Sequence, residues 1–396
     1  MSASSDPARR PVIVAAFRTP VGRAGGSLRT VEPASLAVPL IRRLLAETGT
    51  APVAIDDVIL GNAANSAGNL ARLAALEAGL PVAVPGMTVD RQCGSGLEAI
   101  ALAARLVQAG AGRFYIAGGT ESASRANLRF QPPRTEGGDP MPLRRARMAP
   151  DTVGDPDMGI AAENVARHAG IARARQDAFA LESHRRAVVA QAAGRFVNEI
   201  VPVGTPEGPI ARDECPRPDT TLEKLSRLKP VFRDDGTVTA GNACPINDGA
   251  ALVLVTSLED ARRMGTRQGL AFVDAAVAGV DPNLLGLGPV PAIEKLVARN
   301  PDLDPRAVPF VEFNEAFASQ VLASLDALGV DPAAVNRDGG ALALGHPYGA
   351  SGAILAVRLF SQMRDTSPGT RGLATMGIGG GMGIAALFET VAFSGG

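Results

Sequence analysis

The stretch "SGLEAIALAARLVQAGAG" (95–112) predicts a helix, because its apolar residues recur at helical spacing and glycines mark its end. A second stretch, "SGAILAVRLFSQM" (351–363), parallels it. Each helix follows a Gly-rich turn and precedes a strand that ends in glycines, "RFYIAGG" (113–119) and "RGLATMGIGGG" (371–381). This self-similarity indicates two similar halves that, packed together, would present two glycine-rich turns to one cleft.

Segments further from this helix indicate the fold class. "PVIVAAF" (11–17) and "AIDDVILGN" (54–62) are typical of buried strands, since they are short, β-branched or aromatic, and bounded by Pro, Gly or Asp. "ASLAVPLIRRLLAETG" (34–49) predicts another helix. Alternating strands and helices imply a sheet covered by helices, and therefore an α/β protein.

Residues 122–245 differ from this pattern. Residues 129–159 are rich in Pro, Gly and Arg and show little periodicity, whereas 159–194 are strongly helical. His168 and His184 lie in that helical stretch and are interpreted as surface or packing residues. We expect an inserted, loop-rich subdomain, after which core patterning resumes at "NDGAALVLVTS" (247–257).

Composition excludes several classes of function. The chain has 396 residues, 46% of them hydrophobic, which is enough for a large core. A formal net charge of −1, no Trp and only 4% aromatic residues argue against a nucleic-acid partner. The three cysteines have no CxxC spacing, so neither a disulfide framework nor a metal site is expected, and a reducing, cytoplasmic compartment fits. The N-terminal apolar run is too short for a signal peptide, and no membrane partner is expected.

Cys93 in "VDRQCGSGLEAI" is a candidate nucleophile. It lies in a turn just before a helix, with glycines that allow backbone conformations other residues resist. The positive end of the helix favours a thiolate and is expected to lower the thiol pKa. The alternative is a small buried hydrophobic residue, the ordinary role of a free cysteine.

Two further segments carry candidate chemistry. His346 in "GGALALGHPYGASGA" (339–353) lies in a Gly-rich turn where a ligand can approach the backbone. Asn314 lies where a strand runs into a helix in "VPFVEFNEAFASQVL" (308–322), as a helix cap or as a neutral donor to a water or carbonyl. The glycine run at 377–383 lacks GxGxxG spacing, so we expect its N–H groups to face a ligand oxygen instead.

Seven motifs, in order and at family-like spacing, together resemble the thiolases over essentially the whole chain. They are "RTPVGRAGGSL" (18–28), "DRQCGSGLEAI" (90–100), "MGIAAENVA" (158–166), "TVTAGNACPINDGAA" (237–251), "FNEAFA" (313–318), "GGALALGHPYGASGA" (339–353) and "GLATMGIGGGMGIA" (372–385).

The resemblance implies a duplicated, five-layered αβαβα thiolase fold with an inserted loop domain. The first half would comprise 1–121 and 246–272, the loop domain covering acyl-CoA 122–245, and the second half 273–396. It also implies a homodimer or homotetramer that cleaves 3-ketoacyl-CoA with coenzyme A, or runs the reverse Claisen condensation. Coenzyme A and acyl-CoA would be substrates, with no metal and no other cofactor.

The same resemblance implies roles for residues. Cys93 matches the nucleophile that becomes acylated, and His346 the base that activates it and contributes to an oxyanion hole. Asn314 matches the residue that positions a water in that hole, and the N–H groups of Cys93 and Gly379 match a second hole. The residues that match the CoA-binding positions are Arg217, Leu228, Phe232, Ala243, Met158 and Phe317.

Three residues depart from the family pattern, and one of them, Asp157, stands where some members have histidine. Gly377 occupies the place of the second catalytic cysteine, which moves a proton at the substrate α-carbon. A positioned acid or base contributes about 10²–10⁴-fold to a rate, so ordinary thiolase turnover should fall by a comparable factor. Cys244 replaces a serine of the CoA channel and is expected to lie too far along it to act as the missing base.

Three interpretations therefore stay open. The first is a thiolase-type acyl-CoA C-acetyltransferase impaired at Gly377. The second is a thiolase-like enzyme with altered chemistry, either a decarboxylative condensation that needs no base at Gly377 or acyl transfer to another nucleophile. The third is a non-catalytic acyl-CoA-binding partner subunit, which does not explain why Cys93, His346 and Asn314 are all present.

Overall fold

The computed structural model describes residues 7–65, 68–143, 145–266 and 268–393. Its strands are β1 (Pro11–Arg18), β2 (Gly22–Arg23), β3 (Asp57–Gly61), β4 (Gly86–Val89), β5 (Phe114–Ser122), β6 (Phe130–Gln131), β7 (Met141–Pro142), β8 (Val203–Thr205), β9 (Gly208–Ile210), β10 (Asn247–Ser257), β11 (Gln268–Gly279), β12 (Phe310–Phe313), β13 (Arg371–Ile378) and β14 (Met382–Ala392). Its α-helices are α1 (Pro33–Thr48), α2 (Leu70–Glu77), α3 (Ser95–Ala109), α4 (Met158–His168), α5 (Arg173–Ala192), α6 (Leu222–Ser226), α7 (Leu258–Arg263), α8 (Pro289–Arg299), α9 (Ala318–Leu328), α10 (Ala341–Leu344) and α11 (Tyr348–Met363).

The strand order confirms the predicted duplication. The first half has the order β4-β3-β5-β10-β1, and the second has β12-β13-β14-β11. In each half the parallel pair (β3 with β5, β12 with β13) is followed by two antiparallel pairings. A parallel bridge between Val311 and Val335 occupies the position that β4 fills in the first half.

The two half-sheets face each other across a shared helix layer. They are joined at one edge, where β1 and β11 pair through only two residue pairs. The buried cluster between them combines α3 and α11 with strands of both halves. Helices α1 and α2 cover the outer face of the first half, and α8 and α9 cover that of the second. The layers are therefore αβαβα, as the resemblance predicts.

Glycines allow the two central helices to touch through their backbones. A Cβ on Gly96 of α3 would lie 2.6 Å from the carbonyl oxygen of Gly349 in α11, and one on Gly352 would lie 2.6 Å from Leu97 N. Cβ atoms do not approach other atoms this closely, so larger residues would separate the helices. This contact brings the N-terminal ends of α3 and α11 together, and with them the turns that hold Cys93 and His346.

Residues 122–245 leave the core between β5 and β10 and contain the predicted helical stretch as α4 and α5. A buried ion network joins this region to the core: Arg18 of β1 donates to Glu199 at 2.7 Å and to Asp213 at 2.6 Å. Arg358 of α11 also pairs with Glu199. The predicted 272/273 boundary falls inside β11, which pairs with β14 along its length; the domain division itself stays a prediction.

Within the described ranges, no helix is both long enough and apolar enough to cross a membrane.

Candidate active site

Cys93 lies in a fixed turn between β4 and α3. Gln92 has a φ of +47°, a left-handed conformation that non-glycine residues seldom adopt. Side chains at both ends fasten the turn: Asp90 Oδ1 accepts from Gln92 N at 2.7 Å, and Ser95 Oγ accepts from Arg91 N at 2.8 Å. Such strain persists where the surroundings hold it in place, which is common at functional sites.

The glycine next to Cys93 has a role that differs from the predicted one. Gly94 has an ordinary φ of −79°, so the prediction that it relieves the backbone is wrong, and Gln92 takes the unusual conformation instead. A Cβ on Gly94 would lie 2.4 Å from Ile378 Cδ1 of β13. Gly94 therefore allows the second half to approach the nucleophile turn.

The expected thiolate at Cys93 is also wrong. Burial raises the pKa of the Cys93 thiol to about 11, and the negative charges of Glu121 and Asp90 act in the same direction. The backbone N–H groups of Gly379 and of Cys93 itself face the sulfur and lower the pKa, but desolvation outweighs them. At neutral pH the thiol keeps its proton, so nucleophilic attack needs a base.

His346 is a neutral base in the turn between α10 and α11. It is 3% exposed, and burial alone lowers its pKa to about 4. Its backbone N–H donates to Asn247 Oδ1 at 2.8 Å, and its Nδ1 lies 2.5 Å from Ser351 Oγ. Tyr348 packs the edge of its ring against the imidazole at 5.5 Å between centroids. These contacts fix the ring and hold it uncharged.

Two buried amides near the end of β12 have unused hydrogen-bonding capacity. Asn314 is anchored by its backbone N–H, which donates to Thr375 O at 3.0 Å, while its Nδ2 has no partner among the described residues. Gln320 of α9 is 2% exposed, and neither its Nε2 nor its Oε1 has a partner in the described structure. Buried polar atoms are almost always hydrogen-bonded, so we expect each of these amides to bind a water or a ligand.

Gly377 and Gly379 lie at the end of β13 and after it. A Cβ on Gly377 would lie 3.4 Å from both Gln320 Nε2 and Leu285 O, which is ordinary contact. The Cβ position of Gly379 lies 2.8 Å from the thioether sulfur of Met148. Residue 377 therefore has room for a Cβ beside two polar atoms and Pro289 Cδ, whereas residue 379 is covered.

Most of the predicted CoA-channel residues surround the same region. Phe232 and Phe317 pack edge to face at 6.3 Å, and Ala243 forms an antiparallel bridge with Phe317. The sulfur of Met158 lies 3.7 Å from the Cβ position of Gly379. Leu228 lies further out, against Gly241, and Arg217 is exposed, with its amide donating to His184 Nδ1 at 3.2 Å. His184 is thus a packing residue and His168 an exposed one, as predicted.

Cys244 lies in the neighbourhood of the nucleophile. Its pKa is raised by burial and then by the charge of Cys93, so the two thiols share one electrostatic environment. Its backbone N–H donates to Ala316 O at 3.0 Å, and the neighbouring Ile246 bridges to His346. These contacts draw the Cys244 segment against both loops, whereas the expectation that its thiol lies too far along the channel to act as the base stays a prediction.

Sequence reasoning missed several residues that shape the site, among them Tyr348, Asn247, Ser351, Gln320 and Met148. Tyr348 and Ser351 stand inside the quoted motif around His346, so their proximity to the imidazole was available from spacing. The other three come from distant segments and are placed only by packing. Among the described residues, no group of three or more His, Cys, Asp or Glu could hold a metal ion.

A nucleophile turn from one half and a buried neutral base from the other define an acyl-transferring thiol enzyme. Residues 11–259 match the family model "Thiolase, N-terminal domain", and 267–390 match "Thiolase, C-terminal domain". The chain therefore belongs to the thiolase family and is an acyltransferase of that type.

Relatives and a solved structure agree with this assignment. Two relatives are both named "Putative acetyl-CoA C-acetyltransferase": VraB of Staphylococcus epidermidis, 47% identical, and YhfS of Bacillus subtilis, 46% identical. Each comparison covers 96% of this chain, with 98% and 99% of the relative. The crystal structure of the Bacillus anthracis acetyl-CoA acetyltransferase is 38% identical, with a TM-score of 0.88 over 96% of this chain and 99% of that one.

Proposed function

We propose that the protein transfers acyl groups between CoA thioesters through Cys93, in Claisen condensation or in thiolysis of 3-ketoacyl-CoA. The observation that carries the proposal is a buried Cys93 thiol with the N–H of Gly379 at its sulfur, together with an uncharged buried imidazole at His346 in the turn before the helix that packs on α3. Covalent acyl transfer needs an activated nucleophile and donors for the developing oxyanion, and these groups are suited to both tasks.

In this proposal the site residues divide the chemical tasks among them. His346 takes the proton of Cys93 as its sulfur attacks the thioester carbonyl. The N–H groups of Cys93 and Gly379 donate to the oxyanion on the acyl-enzyme. The unused Nδ2 of Asn314 holds a water that, with His346, donates to the oxygen of the second substrate. Residues Arg217, Leu228, Phe232, Ala243, Cys244, Met158 and Phe317 bind coenzyme A and its acyl chain.

The test is formation of the acyl-enzyme. The protein is incubated with acetyl-CoA and longer acyl-CoAs, and then examined by intact mass and peptide mapping. We expect an acyl adduct on Cys93, lost in Cys93→Ser and kept in Cys215→Ser, in which a serine hydroxyl still offers an acceptor to Asn247 Nδ2. The absence of an adduct with every donor, in a folded protein, would contradict the proposal and favour a non-catalytic acyl-CoA-binding subunit.

A second candidate is decarboxylative condensation, and Gly377 favours it. If the second substrate forms its carbanion by losing CO₂, no base is required at the α-carbon. The acylated protein should then condense with malonyl-CoA but not with a second acetyl-CoA. Condensation of two acetyl-CoA molecules, without activity on malonyl-CoA, would exclude this candidate.

We also propose a homodimer or homotetramer. Strand β4 ends the sheet with β3 as its neighbour, and exposed apolar side chains surround it: Leu73, Leu76, Val82 and Met87. An open edge beside an apolar patch favours pairing with a second copy. Light scattering after gel filtration should give a mass of two or four chains, and Val82→Asp should shift it toward the monomer; a monomer in the original protein would contradict the idea.

The cellular setting is likewise a proposal. Three cysteines without a disulfide suit the cytoplasm, and acyl-CoA substrates suit fatty acid metabolism. Coenzyme A and its thioesters would be the only small molecules required. Activity should then survive exhaustive dialysis against a chelator, and its loss with recovery on adding a metal would contradict that expectation.

A further inference from the structure

The site described above lacks one chemical part. Condensation requires a base that removes a proton from C2 of the acyl acceptor. Thiolysis, the reverse reaction, requires an acid that donates a proton to the same carbon. At Gly377 the groups that face the vacant side-chain position are the Gln320 amide and the Leu285 carbonyl. Neither titrates in water near neutral pH. The unused atoms of Gln320 indicate that a polar ligand or water occupies this space, but the proton must move to another residue.

The backbone around Cys244 places its thiol between the two catalytic loops. On one side Ala243 bridges to Phe317, and Cys244 N donates to Ala316 O in the loop that follows Asn314. On the other side Ile246 bridges to His346. The short segment 243–246 thus spans the distance between the Asn314 loop and the His346 turn, and Cys244 lies in its middle.

Other titratable groups near the site already have partners. Glu315 accepts from Ser183 Oγ at 2.7 Å and from Asn336 Nδ2 at 2.7 Å. Glu121 accepts the N–H groups of Ala63 and Gly349, both at 2.9 Å. Burial raises the pKa of both carboxyl groups, but the oxygens that would take a proton already accept hydrogen bonds, so these carboxylates position their neighbours instead of reaching the substrate.

Tyr348 is another candidate, and its hydroxyl loses a proton less readily than a thiol does. Burial raises its phenol pKa, followed by the charges of Cys244, Cys93 and Glu121. Glu121 opposes ionisation of Tyr348, and Glu315 likewise opposes ionisation of Cys244, so the neighbouring carboxylates do not separate the two groups. A thiol ionises about 1.5 pKa units below a phenol.

We propose that Cys244 is the acid/base that replaces the cysteine missing at position 377. The proposal rests on acyl transfer through Cys93. As His346 takes the Cys93 proton and the Cys93 sulfur bonds to the acyl carbon, the CoA sulfur leaves and takes the Cys244 proton. Cys244 is then a thiolate beside a protonated His346.

The second half-reaction closes the proton balance. The Cys244 thiolate removes a proton from C2 of the second acyl-CoA, and that carbon bonds to the acyl carbon on Cys93. The tetrahedral alkoxide collapses, the bond to the Cys93 sulfur breaks, and this sulfur recovers its proton from His346. Cys244 ends as a thiol, Cys93 as a thiol and His346 uncharged, with no oxidant or other reactant required. Thiolysis runs the same steps in reverse.

The test separates the two half-reactions in the variant Cys244→Ser, a residue of similar shape. Acylation of Cys93 is followed by intact mass. Proton abstraction is followed by exchange of the C2 hydrogens of acetyl-CoA in D₂O, and turnover by thiolysis of acetoacetyl-CoA. We expect exchange and thiolysis to fall by about 10²–10⁴-fold, and acylation to fall by at least tenfold less than they do, since a CoA thiolate can leave before it is protonated. Cys215→Ser is the matched control and should change none of the three.

The double variant Cys244→Ser/Gly377→Cys completes the test, because a Cβ at 377 meets no close contact. Its rates of C2 exchange and of thiolysis should be at least tenfold higher than those of Cys244→Ser. Exchange and thiolysis within threefold of the original protein in Cys244→Ser would overturn the proposal, as would an equal loss of acylation, which indicates a structural role. Failure of the original protein to acylate Cys93 would instead refute the proposed function.

Discussion

The burial of His346 predicts an unusual pH dependence for acylation of Cys93. The prediction is tested by lowering the pH at which acylation is measured. An exposed histidine with a pKa near 6.5 would be about nine-tenths protonated at pH 5.5 and unable to act as a base. Since burial lowers the pKa of His346 to about 4, it should remain almost wholly neutral there. The Cys93 thiol, with a pKa near 11, stays protonated throughout.

The two cases differ by about tenfold in acylation rate at pH 5.5. The assay is rapid mixing with acetyl-CoA, acid quenching and intact mass at pH 5.5 to 8. We expect a rate that varies less than twofold across this range. Circular dichroism at each pH controls for unfolding. A rate that halves near pH 6.5 in a protein that remains folded would refute the reasoning that burial holds the imidazole neutral.

The sign of the stability effect follows from the same burial. The folded pKa values of His346 and His184 are both lowered to about 4, so the unfolded chain binds protons between pH 6.5 and 4 that the folded chain does not. Stability should therefore be unaffected by these groups above pH 6.5 and fall as the pH drops toward 4. The slope is at most about 1.4 kcal/mol per pH unit for each histidine, measured as the urea midpoint against pH.

Three substitutions test the packing arguments. Glu199→Gln removes the negative charge that two buried arginines share, so urea unfolding should show a loss of about 3–5 kcal/mol in the free energy of unfolding. The control Glu47→Gln, at an exposed ion pair, should lose less than about 1 kcal/mol. Equal losses in the two variants would contradict the role of the buried network. Gly119→Ala places a Cβ 2.0 Å from the Gly349 carbonyl oxygen and should abolish soluble, folded protein. Gly377→Ala meets its nearest atoms at 3.4 Å and should change the free energy of unfolding by less than about 1 kcal/mol; a larger loss would mean that the space beside it is filled.

The periodic part of the fold could be predicted from sequence. The helix at 95–112 and the strands at 11–17 and 54–62 were recoverable because each buries one repeating apolar pattern, and they correspond to α3, β1 and β3. The duplication was visible because both halves repeat the order turn, helix and glycine-ended strand. The antiparallel pairing of β1 with β11, which joins the two halves, could not be predicted, since two residue pairs leave no pattern in a sequence.

Only those features of the site that depend on neighbouring residues in the sequence could be predicted. Cys93 and His346 stand in glycine-flanked turns, which marked them. The charge state of Cys93 was mispredicted because a helix end is local, whereas desolvation depends on β13 and the second half closing over the thiol. The surroundings of Cys244 could not be predicted, because the bridges of its neighbours Ala243 and Ile246 join residues about 70 and 100 positions away in the chain.

The glycine contact between α3 and α11 has an evolutionary consequence. The two helices are equivalent elements of the two repeats, and the turns that precede them supply different groups, a thiol in one and an imidazole in the other. Two identical half-chains assembled by symmetry could offer only the same residue twice. In one chain that contains both halves this restriction is absent, because each half can change its residues independently. The joined chain could therefore evolve a division of labour that an ancestral symmetric pair could not encode.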